Sequence, residues 1–381
     1  MSKIIIYFLL FISSYSINHV NINKLDVQSR NGTVFMSMNS FSKIGVDLKR
    51  SKNTFILNTD LGKYYLIDNR IITPQKEYTY LSIPFISQEK YYLPLELILE
   101  LNGAYLKNNK IIRSVEPKNP NIFPKRIISL SPGITEKIFA LGGEDLLVGR
   151  TSFSTYPEEV KNIDIVGTMF EPNLEIILDK DPDTVIAETH FRKKLMSTLN
   201  SLGISVTKYQ TPINIPEIHR SIVDLGVLLG RHLEARGLNA SLKDKINYTR
   251  YILRDQEVPK VYYVLGSGKT DITPGGDTFI NSLMVLAGGE NIAKEKNGWR
   301  YSLEELILNN PDIIFGSQRN IDNMLMEENY YFLTAIKNKN HYIIPDDSIF
   351  NLPGPRALTQ GIYEMVKIFH PESAKKLKPK Y

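Results

Sequence analysis

The sequence predicts an α/β protein in which two lobes of one plan are joined by a long helix and preceded by a small α+β domain. Three observations predict it. The stretch NLEIILDKDPDTVIA at 173–187 returns without a gap as SLEELILNNPDIIFG at 302–316. A second echo pairs IFALGGEDL at 138–146 with MVLAGGENI at 284–292. From Lys125 onward, short apolar runs alternate with helical patterns, as strands spaced by helices do when they build parallel sheets.

At 381 residues the chain is too long for one small core. Its 42% hydrophobic and 23% charged residues are ordinary for a globular protein. The formal charge of +5 comes from scattered residues, not from a basic stripe with interleaved aromatics. That argues against a nucleic-acid partner, and KKLKPK at 375–380 reads as a solvated tail. MSKIIIYFLLFISSYS, residues 1–16, has one cation, an apolar run too short to span a bilayer, and small residues near its end. Such a segment is expected to be a secretory signal cleaved after Ser16, which removes Lys3 and lowers the charge from +5 to +4. No cysteine occurs, so disulfides and thiolate chemistry are excluded. With the signal segment, no other run of about eighteen apolar residues and no cysteine to carry a lipid, the protein is expected to be periplasmic or otherwise exported, soluble and not lipid-anchored.

Residues 17–117 form the expected small domain. GTVFMSMNSFSKIGVDL at 32–48 has a counterpart in KYYLPLELILELNGAYL at 90–106, each reading as strand, short helix, strand. Proline and asparagine crowd 118–124, marking a linker. The first lobe is expected over 125–213. RIISL is its buried strand, SPG a turn, ITEKIFALGG a helix ended by glycine, and DTVIAE and SVTKY are further strands. A connecting helix is expected over 214–256, from the spacing of Ile218, Ile222, Leu225, Leu229, Leu233, Leu242, Ile246 and Ile252. Its periodic part, 217–254, would be about 55 Å long, made less than ideal by Gly226, Gly230 and Gly237, with a break expected near Gly237 if anywhere. The second lobe, 257–381, opens with the strand KVYYVLG.

RIISLSPGITEKIFALG, SFSTYPEEV, the two repeated stretches, AGGENI and the C-terminal PGPR, taken in order, resemble the periplasmic cobalamin and iron-siderophore binding proteins of ATP-driven importers. The resemblance covers about residues 124–372. It implies two Rossmann-like lobes of the class III periplasmic-binding-protein type, a monomer, and hand-over of ligand to an ABC permease dimer with its ATPase. Residues 17–117 resemble, more loosely, the amine-oxidase N-terminal (stalk) domain, which implies an accessory role.

Asn173 and Ser302 read as helix N-caps, with Ser302 and Glu305 forming a capping box. Glu175 and Glu304 then fall in first turns, where an acid complements the helix dipole by about 0.3–1 kcal/mol. The resemblance adds a second role: one acid per lobe, docking on arginines of a two-fold permease.

Candidate ligand contacts come from loops after strands: Ser131, Pro132, Tyr156, Phe170, Arg192, Trp299, Arg300, Phe350 and Arg356. The resemblance places aromatic contacts at Tyr156, Trp299 and Phe350. Aromatics suit a large flat ligand and the arginines suit amide or carboxylate fringes. Trp299 can equally be lobe packing, and Arg356 can equally cap a helix or brace its loop. No catalysis, resident cofactor or metal is expected. GSGKT at 266–270 lacks the phosphate loop's first glycine, since 263 is Tyr, and the six histidines show no paired-ligand spacing. The ligand expected is cobalamin or a related corrinoid, with haem or a ferric siderophore as the alternative. A surface sensor or adhesion protein is the reading from another class.

Overall fold

The computed structural model describes residues 25–377 apart from 31–32, 45, 53, 60–61, 68–69, 73–76, 80–83, 102–103, 108–109, 114–122, 190–192 and 269. The expected signal segment lies outside the described residues. Two compact units emerge. One joins the chain up to Pro124 to Ile222–Gly237, and the other comprises Lys125–Ser221 and Leu238–Tyr381.

The first unit carries β1 (Val27–Arg30), β2 (Thr33–Ser37), α1 (Met38–Phe41), β3 (Asp47–Ser51), β4 (Thr54–Thr59), β5 (Gly62–Ile67), β6 (Arg70–Ile72), β7 (Glu77–Thr79), β8 (Phe85–Ser87), β9 (Lys90–Pro94), α2 (Leu95–Leu101), β10 (Ala104–Lys107) and β11 (Lys110–Arg113). The two like segments meet directly: β2 pairs antiparallel with β9, placing Phe35 opposite Pro94 and Met36 opposite Leu93. A meander β3-β4-β5-β6-β7 completes the unit. Met36, Phe41, Ile44, Leu57, Leu66, Leu93, Ile98 and Leu101 are buried in its core. So is Leu233, from the connector segment that belongs to this unit.

That connector is two helices, not the single one expected. α6 (Ile215–Leu228) and α7 (His232–Leu253) are separated at Gly230, and helix runs on through Gly237. The physical reason is local. Gly230 has φ +69°, and a Cβ there would sit 2.9 Å from the Phe123 ring. Gly237 faces open space, so it costs only its helix propensity, about 1 kcal/mol.

In the second unit the N-lobe contains β12 (Ile127–Ser129), α3 (Pro132–Ala140), β13 (Leu147–Arg150), α4 (Leu174–Asp179), β14 (Thr184–Ala187), α5 (Lys193–Ser201) and β15 (Ser205–Lys208). The C-lobe contains β16 (Lys260–Val264), β17 (Asp271–Ile272), α8 (Phe279–Leu286), β18 (Glu290–Asn291), β19 (Arg300–Tyr301), α9 (Leu303–Asn309), β20 (Ile313–Ser317), α10 (Gln318–Leu325), α11 (Thr334–Lys337), β21 (His341–Ile344), α12 (Ser348–Asn351), α13 (Ile362–Phe369) and α14 (Pro371–Ala374). The sheet orders are β13-β12-β14-β15 and β18-β16-β20-β21, both parallel throughout. In each lobe the first strand therefore sits between the second and third, so the repeated sequence builds a repeated topology.

Position by position, the repeat makes the same local structure twice. Asn173 Oδ1 accepts the Ile176 amide at 3.1 Å, and Ser302 Oγ accepts the Glu305 amide at 3.2 Å. Ile177 and Leu306 are fully buried. Asp181 and Asn310 take left-handed φ of 43° and 42° to end the helix, a conformation these two residue types tolerate. Asp183 then accepts the Lys125 and Arg126 amides at 2.7 and 3.2 Å, and Asp312 accepts the Lys260 amide at 2.8 Å. The repeated aspartate thus staples the entry to each lobe's first strand. In the second echo, Gly142 (φ 67°) and Gly288 (φ 81°) turn the chain out of α3 and α8. The next amides, of Gly143 and Gly289, donate back to Ile138 and Met284 at 2.9 Å.

Candidate functional site

The loops that leave the C-terminal ends of these parallel strands are where open α/β sheets hold ligands. On the N-lobe they follow β12, β13 and β14. On the C-lobe they follow β16 and β21, joined by the segment that leads into β19.

Ser131 caps α3, its Oγ accepting the Ile134 amide at 3.4 Å while donating to Glu188 Oε2 at 2.6 Å. Ser131 and Pro132 are both buried. Neither offers free surface, a correction to their place among the expected contacts: a capping hydroxyl and a first-turn proline are consumed by starting the helix. After β13, Arg150 donates to the carbonyls of Ile163, Thr151 and Ser154, at 3.0, 3.2 and 3.0 Å, and so shapes the loop that carries Phe153 and Tyr156.

Phe153 and Phe170 are 50% and 52% exposed, and their rings meet edge to face at 6.2 Å. Phe170 was among the expected contacts. Phe153 was not, although it lies in the SFSTY stretch that carries Tyr156. Trp299 is 45% exposed, and its carbonyl accepts the Thr273 amide at 2.9 Å. Arg300 beside it is exposed on β19. Arg192, with His190 and Phe191, lies outside the described residues, as does Lys269.

Phe350 is a correction. It is fully buried and its ring stands edge-on to Tyr263 at 5.9 Å. Tyr263 itself stacks on Phe315 at 4.9 Å. Phe350 is part of the C-lobe core, because α12 turns that face inward.

Of the two readings open for Arg356, bracing is the one the geometry favours. Its side chain is buried, ion-paired to Asp346, and lies over the Tyr156 ring at 4.3 Å. Its backbone amide donates to Glu136 Oε1 at 2.8 Å, joining C-lobe to N-lobe. The glycine of PGPR makes room for this junction, since a Cβ on Gly354 would fall 2.8 Å from Glu136 Oε1. Glu136 is buried, and that burial pushes its carboxyl up to about 7 against the pull of the Arg356 amide and charge. Sequence reading missed Glu136. Two adjacent charges, Glu136 and Lys137, inside the otherwise largely apolar ITEKIFALG were the available signal.

Glu175 and Glu304 are exposed in the first turns of α4 and α9. In the repeat, Leu178 and Ile307 are similarly exposed, at 40% and 42%. Among the described residues, no group of three or more histidines and acids is placed to hold a metal ion. No helix there is long and apolar enough to cross a membrane.

Comparison with known proteins agrees with this architecture. A family model described as periplasmic binding protein matches residues 127–348. A Bacillus subtilis protein named as an uncharacterized ABC transporter substrate-binding lipoprotein is 30% identical over 66% of this chain and 82% of its own length. A Halobacterium salinarum cobalamin-binding protein is 29% identical over 50% of this chain and 53% of its own. Among solved structures, the Vibrio cholerae periplasmic vitamin B12 binding protein superposes with a TM-score of 0.55 at 25% identity, covering 66% of this chain and 98% of that one. A Roseiflexus periplasmic heme-binding protein gives a TM-score of 0.58 at 24% identity, over 66% and 99%. The Bacillus relative overturns the expectation of a protein free of any lipid anchor, since it is itself a lipoprotein by name. The absence of cysteine spoke to one attachment chemistry only, which is too little to fix where a protein resides. This chain belongs to the periplasmic binding protein family.

Proposed function

We propose that this member of the family is the solute-binding component of an ABC importer, capturing a corrinoid against the strand-end loops of its two lobes. The observation that carries the reading is the exposure of Phe153, Phe170 and Trp299 at those loops. Large rings left in water offer a broad apolar surface that a macrocyclic ligand can bury. The relatives named for cobalamin supply the chemical class. Haem or an iron chelate is the alternative, supported by the neighbours named for haem. Capture here involves no conversion of the ligand and no resident cofactor. Tyr156, Trp299, Arg300 and Arg192 complete the proposed contact set.

Glu175 and Glu304 then serve as the docking acids, one for each subunit of a two-fold permease that works with an ATPase. Their equivalent placement in two lobes of equal topology supports this role. The protein acts as a monomer. The N-terminal unit, which resembles the stalk domain, is an accessory to transport.

The test is calorimetric titration with cyanocobalamin, haemin and a ferric siderophore panel, followed by fluorescence of the single tryptophan, Trp299. Sub-micromolar binding of cyanocobalamin is expected. Trp299→Ala and Phe170→Ala should each weaken it tenfold or more, about 1.4 kcal/mol, without lowering the melting temperature. Silence from the whole panel would defeat the reading and move attention to a sensor or adhesion role for the N-terminal unit.

A further inference from the structure

Two charged side chains of the N-lobe remain without a role, Lys137 and Glu188. Lys137 projects from α3 with its side chain only 1% exposed, and its ammonium makes no hydrogen bond among the described residues. It faces the Glu188 carboxylate at 3.8 Å. Glu188 follows the last residue of β14 at its C-terminal end, where its side chain keeps 12% exposure. The carboxylate takes the Ser131 hydroxyl at 2.6 Å. It also lies 3.8–4.0 Å from where a Cβ on Gly133 would stand. It therefore rests over the first turn of α3, the place where free amides and the helix dipole would otherwise draw an anionic group of a ligand. A buried ammonium at its back balances that carboxylate from inside the protein.

We propose that Glu188, held by Ser131 and backed by Lys137, is a specificity-determining residue: it fills the anion position of the N-lobe wall and selects ligands edged with hydrogen-bond donors over ligands edged with carboxylates. The inference rests on the proposed function and narrows it to amide-fringed macrocycles. An amide edge gives Glu188 an N–H to accept. A carboxylate edge meets a negative charge whose buried partner, Lys137, lies on the protein side, and like charges brought together in a part-buried site repel.

The experiment is titration of the full chain and its Glu188→Gln variant with cyanocobalamin, which carries amides, and haemin, which carries two carboxylates. Glu188→Gln keeps the shape and a partner for Ser131 while removing the charge. The ratio of haemin to cyanocobalamin affinity should rise tenfold or more. Since Glu188→Gln takes the facing carboxylate from the Lys137 ammonium, the double variant Lys137→Met with Glu188→Gln removes both charges, and the ratio should rise there as well, by less. An unchanged ratio in chains that are folded and bind cyanocobalamin overturns this inference and leaves the proposed function standing. Failure of the wild-type chain to bind either probe defeats both.

Discussion

The N-lobe and C-lobe share a frame and differ in what they put on it. Both have sheets of the same order, the same capped helix, the same left-handed helix end and the same aspartate staple. At the strand ends they part. The N-lobe buries charge, with Glu136, Lys137 and Arg150 all nearly inaccessible. The C-lobe buries Arg356 and Asp271 as well, but its core is built on aromatics, Tyr262, Tyr263, Phe315 and Phe350. The residues common to both lobes are those that close backbone hydrogen bonds, while the buried side chains differ.

The largest expected effect breaks the C-lobe side of the comparison. Phe350→Ala empties a fully buried ring site and should cost about 3–5 kcal/mol, read by denaturant unfolding. Phe350→Leu should leave cyanocobalamin affinity of the folded protein within about threefold, because a core ring reaches the ligand only through packing. A large affinity loss with little destabilisation would return Phe350 to the binding wall.

Next comes the N-lobe charge. The Glu136 carboxyl, pushed up to about 7 by burial, holds a proton in the folded state that the unfolded chain releases near 4.5. Folded protein thus binds more protons between these values, so stability falls as pH rises from about 4.5 to 7 and levels off above. Glu136→Gln, which can still accept the Arg356 amide, should remove that slope. The gain at pH 8 should be on the order of 2–4 kcal/mol, at about 1.4 kcal/mol per tenfold change in proton affinity. Comparing the two proteins across pH isolates Glu136 from Lys137, whose own proton affinity burial lowers. Parallel pH profiles would refute the assignment.

The shared frame is tested more gently. Asp183→Ala and Asp312→Ala each remove a charged acceptor from backbone amides, and should cost about 1–3 kcal/mol. Asp183 accepts two amides where Asp312 accepts one from its strand entry, so the N-lobe variant should be the weaker protein. The smallest effect is expected at Glu175 and Glu304. Exchanging both for alanine should shift stability by less than about 0.5 kcal/mol per site and leave ligand affinity unchanged. Ligand-stimulated ATPase activity of the reconstituted importer should nevertheless be lost if these are the docking acids.

Much of this was legible in the residues because it is local. Caps at Asn173 and Ser302 follow from short-range hydrogen bonding, and the parallel lobes follow from apolar period and repeat. The break in the connector was visible as a choice among glycines. It fell at Gly230 and not Gly237 because Phe123, far away in sequence, occupies the space a side chain would need. Arg356 likewise reads as a ligand contact from its motif until Glu136, Asp346 and Tyr156 are seen to surround it.

By itself, then, the sequence determined the helix starts, through short-range capping, and the two-lobed plan with its paired surface acids, through a pattern written twice along the chain. Only the tertiary structure decided which aromatics stand in water, which arginine braces a junction, and that Lys137 and Glu188 form a pair. Burial and long-range partners are properties of the assembled fold, where residues 51 positions apart, one on a helix and one at a strand end, come to within 3.8 Å.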